Sequence, residues 1–337
     1  MAEIVLGMWT SHGPTLSTTP EQWVLRLPAD HANKNHPYRG LTHDFGTLAK
    51  LRADERLDEQ STIEERTLRS DACQAAIAEM AERFAAVSPD IAIIFGNDQR
   101  ELFLEDVTPA MTVFTGDHTW DQPANPEQAK RMPPGIHEAE LGHSPPERRE
   151  YRTHPDLALH IARSVVAERF DIAVSKRLPE PPGHWSSGIP HAFGFIYRQI
   201  MRDRVIPHVP IILNTFFPPN QPTARRCFEL GRAVGRALKV WQGAERVAVF
   251  GSGGMSHFVI DEAFDAMFLK ALADRDAETL MAIDEKLLQS GTSELKTWIA
   301  AAGMLFETDL QGGVVGYQPC YRSEAGTGTA NGFVAWA

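Results

Sequence analysis

Four short apolar runs, each breaking into polar or turn residues, set the rhythm of the chain. They are EIVLGMWTSH (3–12), DIAIIFGNDQ (90–99), VPIILNTFFPP (209–219) and RVAVFGSGGMSH (246–257). Near-continuous hydrophobicity of this kind belongs to strands buried on both faces. Between them lie segments of helical period, among them SDACQAAIAEMAERFAAV (70–87), DLALHIARSVVAERF (156–170) and ARRCFELGRAVGRALKVW (224–241). The alternation predicts an α/β fold with a mainly parallel central sheet flanked by helices. Two polar, proline-rich stretches at about 13–68 and 117–153 are expected to be long irregular excursions. Loops of that length are commonly lids or binding loops. With no repeat and no linker in view, residues 1–337 read as a single catalytic α/β domain carrying those two insertions. The Gly-rich tail YRSEAGTGTANGFVAWA holds Phe333 and Trp336, so it is expected to pack, with a partner subunit as one candidate surface.

Charge removes one class of function. A net charge of −11 leaves no basic excess with which to neutralise phosphates, so a general nucleic-acid binder is not expected. Cys73, Cys227 and Cys320 form no CxxC pair and read as reduced thiols. The N-terminal apolar run is too short for a signal peptide and lacks a basic start, and no run approaches the ~18 apolar residues of a membrane span. A cytoplasmic protein without membrane contact is the expectation.

In open α/β sheets, ligands bind beyond the carboxyl ends of the strands. Three of the four strands end in polar groups suited to chemistry: Ser11-His12, Asp98-Gln99, and the GSGGMSH segment that closes on His257. One such histidine is most often a hydrogen-bonded loop residue. Two at neighbouring strand ends weaken that reading, because those ends crowd together. The glycines of GSGGMSH also suit an anion, but no P-loop Lys-Ser/Thr follows them. Glu294 lies in the first turn of a helix beginning near Thr292 or Ser293, where it serves either the helix dipole or a His/His/Glu metal set. His191, after a Gly/Pro-rich approach, is a helix cap or a site residue, whereas His154 and His160 read as structural.

At this point the motifs resemble those of the class III extradiol ring-cleavage dioxygenases, in particular the catalytic subunit of protocatechuate 4,5-dioxygenase and its gallate and 3-O-methylgallate relatives. The matching pieces are SHGP (11–14), IAIIFGNDQRELF (91–103), HPDLALHIARSVVAERFDI (154–172), FPPNQPTARRCFELG (217–231), GSGGMSH (251–257) and SGTSELKTW (290–298), in family order. The resemblance implies Fe(II) held by His12 and Glu294, His257 as the acid–base residue, and His191 beside substrate and oxygen. It implies a catecholic acid and O2 as reactants. The departure is Gln99, which stands where the family carries its second histidine ligand and offers only an amide oxygen. Either Gln99 ligates, or a histidine such as His43 or His36 substitutes, or iron is not bound.

Three functions follow. The leading one is a non-haem Fe(II) extradiol dioxygenase for a protocatechuate- or gallate-type acid. The others are an oxygen-independent hydrolase or lyase on the same scaffold, with Zn or no metal, and a non-catalytic binding protein. A carboxylated ring needs a cation, and Arg100, Arg198 and Arg322 are the candidates. Tyr321, with Tyr317, is expected to reach substrate if the tail crosses a homodimer.

Overall fold

The computed structural model describes residues 2–180 and 188–337. Part of the Gly/Pro-rich approach to His191 lies outside the described residues. Nine strands form the main sheet: β1 (Glu3–Thr10), β2 (Ile91–Asn97), β3 (Met111–Phe114), β4 (Ala173–Ser175), β5 (His208–Leu213), β6 (Arg246–Ser252), β7 (His257–Val259), β8 (Gly312–Tyr321) and β9 (Thr327–Trp336). Their order is β7-β9-β1-β6-β2-β5-β3-β4, with β8 also paired to β9. The four strands legible as apolar runs, β1, β6, β2 and β5, are adjacent and parallel at the centre. Antiparallel pairing is confined to the flanks, at β5–β3 and around β9.

Residues along β2 alternate between two cores. Ile91, Ile93 and Phe95 join a cluster with Leu157, Phe228 and Trp298, while Ala92 and Ile94 join Ile77, Phe84 and Phe193 on the opposite face. The first cluster is covered by α2 (Pro155–Ala167), α4 (Ala224–Lys239), α5 (Glu262–Ala273) and α6 (Leu295–Leu305), the second by α1 (Ile63–Val87) and α3 (His191–Phe195). Each buried Leu, Ile or Phe contributes about 1.5–3 kcal/mol, so covering both faces is what makes a fully apolar strand stable. The helices begin where side chains take up free backbone donors. Thr62 accepts from Glu65 N ahead of α1, His154 from Leu157 N ahead of α2, and Thr223 from Arg226 N ahead of α4.

The C-terminal tail corrects one expectation. All ten residues of β9 are buried, and the strand pairs with β1, β7 and β8, so the tail packs within its own chain and presents no free edge to a partner. The two excursions are also more ordered than their composition suggests. The first holds a hairpin of His36–Tyr38 with Leu41–His43 and a helix Phe45–Leu51, and the second a hairpin of His118–Asp121 with Arg149–Arg152. The three cysteines are buried and free, with the thiols of Cys73 and Cys320 3.9 Å apart. Among the described residues no helix is long and apolar enough to cross a membrane.

Candidate functional site

The carboxyl ends of β1, β6 and β2 lie side by side, and the residues just beyond them meet the start of α6 and of α3. His12 follows β1, Gln99 follows β2, and Glu294 closes the turn Ser290–Glu294 that leads into α6. His191 is the first residue of α3. One donor atom from each of His12, His191 and Glu294 lies within 4.8 Å of the others, a grouping able to hold a metal ion. His257, at the start of β7, places Nε2 3.6 Å from Glu294 Oε1.

Hydrogen bonding on the outer side of each ring fixes which nitrogen faces inward. The Ser252 hydroxyl donates to Ala192 O at 2.6 Å, so it can only accept from His12 Nδ1 at 2.9 Å. His12 Nε2 therefore carries the lone pair. It lies 3.0 Å from Glu294 Oε2 yet is misaligned for a hydrogen bond, which leaves it a buried nitrogen without a partner. His191 Nδ1 donates to Glu101 Oε1 at 2.6 Å, and Glu101 Oε2 also accepts the His191 backbone N–H. His257 Nδ1 donates to Met255 O at 2.8 Å. All three imidazoles thus turn Nε2 toward the cluster, with an acceptor holding the opposite edge, as in carboxylate–histidine–metal arrangements.

Glu294 is 2 % exposed and held from several sides. Its Oε1 accepts from Gln99 Nε2 at 2.5 Å and Asn97 Nδ2 at 3.3 Å, and its Oε2 from Gly254 N at 2.8 Å. Burial opposes its ionisation, but His12 and His257 outweigh burial and hold it well below the usual carboxylate range. Burial also lowers His12 and opposes charge on His191, where the Glu101 carboxylate prevails and lifts the pKa to about 9. The cluster therefore attracts positive charge, whether as a proton on His191 or as a metal cation. His191 is 21 % exposed and marks its open side.

The local sequence explains this placement. Asp98 caps the turn after β2, accepting from Glu101 N, Leu102 N and Phe103 N at 2.8–3.0 Å. Arg100 takes a left-handed conformation (φ 59°) within that turn, so Gln99 and Glu101 both reach the site. The glycines of GSGGMSH serve clearance as well as chain reversal. A Cβ on Gly254 would lie 2.3 Å from the His257 ring, and one on Gly291 2.1 Å from it.

Other sequence candidates fall elsewhere. His36 gives Nε2 to Asp30 O, and neither it nor His43 joins the metal-capable group. Tyr321 is buried with its hydroxyl on Glu262, and Tyr317 donates to Asp265, so neither reaches the cluster. Arg100 pairs with Glu105, Arg198 with Asp203, and Arg322 with Asp30. His154 and His160 make local contacts in and behind α2. Sequence reading missed Glu101 and His143, whose ring lies 5.8 Å from that of His191. Glu101 stands inside the IAIIFGNDQRELF motif and was open to notice, whereas His143 lies in an excursion that matches little.

Comparison with known proteins identifies the family. The chain is 30 % identical over 176 residues to a 2,3-dihydroxyphenylpropionate/2,3-dihydroxicinnamic acid 1,2-dioxygenase of Cupriavidus necator, covering 52 % of this chain and 46 % of that one. It is 30 % identical over 162 residues to a gallate dioxygenase of Pseudomonas putida, covering 45 % and 46 %. A Mycobacterium ulcerans enzyme with the first of these names is 29 % identical over 194 residues, covering 56 % and 50 %. The matched region thus spans about half the length of these curated relatives. Residues 58–328 match the family described as the catalytic LigB subunit of aromatic ring-opening dioxygenase. With four-fifths of its length inside that match and the histidines and glutamate gathered where its strands end, the chain belongs to the LigB family of class III extradiol dioxygenases.

Proposed function

We propose that the protein is an Fe(II)-dependent extradiol dioxygenase opening the ring of a catecholic acid, with His12, Glu294 and His191 holding the metal and His257 as the base. The observation that carries the reading is the convergence of three inward Nε2 atoms and one buried carboxylate. Two imidazoles and a carboxylate suit Fe(II) and leave coordination positions open. The buried, unpartnered Nε2 of His12 fits that role. When bound, the iron supplies a template that brings diol and O2 together and activates both.

The chain's own residues do the rest. His257 keeps its Nδ1 proton on Met255 O and so offers Nε2 to a phenolic proton. Glu101 holds the His191 ring from behind and raises its basicity. Gln99, through its hydrogen bond to Oε1, orients Glu294 and acts on the site through that carboxylate. His191 supplies the nitrogen donor that the Gln99 position lacks. The relatives named for 2,3-dihydroxyphenylpropionate and gallate support a dihydroxylated aromatic acid as substrate.

The test is oxygen uptake by anaerobically purified, Fe(II)-loaded protein given protocatechuate, gallate or 2,3-dihydroxyphenylpropionate. One O2 consumed per ring, with a yellow ring-fission product, is expected for at least one acid. No uptake across the panel rejects the reading. Product formed under strict exclusion of oxygen replaces it with a hydrolase or lyase on the same scaffold.

A further inference from the structure

Helix α5 turns a carboxylate back under the segment that carries His257. Asp265, in the first turn of that helix, is completely buried, and among the described residues no Lys, Arg or His forms an ion pair with it. Its Oδ1 accepts from Ser256 N at 2.8 Å, and its Oδ2 from the Ser256 hydroxyl at 2.7 Å and the Tyr317 hydroxyl at 2.8 Å. Burial pushes the carboxyl up to about 7 against those three donors, and Asp261 adds to the rise. A buried acid without a cation costs stability, and an apolar residue fills space at less cost. What Asp265 supplies is direction.

Ser256 is the residue before His257, and all its polar atoms are fixed. Besides the two bonds to Asp265, its Oγ accepts from Asp261 N at 2.8 Å and its O from Ala330 N at 3.1 Å. The decisive link is one peptide unit. Ser256 N, which donates to Asp265, and Met255 O, which accepts from His257 Nδ1 at 2.8 Å, belong to the same planar group. Fixing the N–H therefore fixes the carbonyl on which the imidazole hangs. A carboxylate on the N–H side also strengthens that carbonyl as an acceptor, because hydrogen bonds in series polarise one another. Asp265 thus reaches the His257 ring through one peptide, where Glu101 reaches His191 directly.

Thr292 completes the hold from the opposite side. Its Oγ1 accepts from His257 N at 3.0 Å and donates to His257 O at 2.9 Å. The nitrogen left to face the cluster is Nε2, 3.6 Å from Glu294 Oε1.

We infer that Asp265 is the positioning residue of His257, setting the imidazole through the Met255–Ser256 peptide. The inference rests on the reading of His257 as the base and deepens it. One readout is independent of turnover: the His257 Nδ1–H resonance in nitrogen–proton spectra of the protein with Zn(II), assigned by its loss in His257→Gln. Asp265→Ala frees the peptide, so that proton should exchange with water and its resonance should broaden. In the Fe(II)-loaded protein the same variant should lower kcat by about 10- to 100-fold with KM unchanged, the usual cost of losing a group that orients a site residue. Asp265→Asn, which keeps an acceptor for the Ser256 N–H, should fall between alanine and wild type in both readouts, and it carries the test if the alanine variant fails to fold. Tyr317→Phe is the control. It removes a hydrogen bond to the same carboxylate but leaves the peptide held, so the resonance should stay sharp and kcat unchanged. A resonance unmoved in Asp265→Asn, or an equal loss of kcat in Tyr317→Phe, overturns the inference and returns Asp265 to a latch between α5 and β8. A broadened resonance in a protein that turns over no catecholic acid keeps the positioning role and removes the oxygen chemistry. Turnover by Asp265→Ala at the wild-type rate keeps that chemistry and removes the positioning role.

Discussion

His208 shows what burial does to an imidazole whose two nitrogens are both employed. It is completely buried at the start of β5, its Nδ1 donating to Ile206 O at 3.0 Å and its Nε2 accepting from Tyr197 at 2.6 Å. Burial drives its pKa down to about 4. The unfolded chain titrates near 6.5, so between those values it takes up a proton that the folded protein refuses. Stability conferred by neutral His208 is complete above about pH 6.5 and is lost as pH falls toward 4, by about 3 kcal/mol in all. Urea denaturation at pH 7, 5.5 and 4.5 should show a smaller acid loss in His208→Gln than in wild type, and parallel curves would remove His208 as the source. Nothing in the local sequence separates this histidine from His12. What separates them is the partner across space: a tyrosine hydroxyl satisfies one Nε2, and the other faces a cluster. Glu101 escaped sequence reading for the same reason. Glu101 gains its role from His191, 90 positions away.

At the level of elements, the position of Glu294 depends on how closely α4 and α6 approach. The two helices touch at glycines. A Cβ on Gly303 would lie 2.1 Å from Phe228 O, and one on Gly231 would lie 1.8 Å from Ala300 O. Backbone carbonyls cannot turn aside as side chains do, so Gly303→Ala must separate the helices. Overpacking of this kind costs about 1–3 kcal/mol. Because Glu294 immediately precedes α6, the same shift moves the carboxylate, and metal affinity should fall together with melting temperature. Gly313→Ala is the matched control, since nothing lies within 4 Å of its added Cβ. Equal melting temperatures for the two variants would show that the crossing tolerates expansion. The helices and the four central strands were legible in sequence because burial on one or two faces writes its period into the chain. Strand β9 was not, since the Thr-, Ala- and Gly-rich TGTANGFVAW carries no such period although all ten positions are buried. The small helical turns of residues 14–32 were likewise hidden, being held by contacts with distant segments such as Arg322 on Asp30.

Across the whole molecule, the cluster joins segments that are remote in the chain: His12 near the N-terminus, His191 in the middle and Glu294 toward the C-terminus. An ion held by all three binds the folded protein and not the unfolded one, so it stabilises the fold by mass action. At a free concentration 100 times Kd that is about 2.7 kcal/mol, or a rise of about 4 °C in Tm for a chain of this size. Zn(II) serves as a redox-inert probe and anaerobic Fe(II) as the second ion. The rise also identifies the ligands independently of turnover. His191→Ala should abolish most of it, because only His12 and Glu294 of the metal-capable group then remain, His257 lying outside that group. Gln99→Ala should keep most of it, because the Gln99 amide touches Glu294 and Asn97 and Gly254 still hold that carboxylate in place. The opposite pattern, with Gln99→Ala silent to metal and His191→Ala responsive, would assign the third position to the glutamine and return His191 to a role beside the substrate. A glutamine at a strand end where the resemblance implies a histidine leaves the proposed metal centre one condition to meet: another imidazole must stand within reach, oriented from behind by its own carboxylate. His191 and Glu101 meet that condition at 2.6 Å.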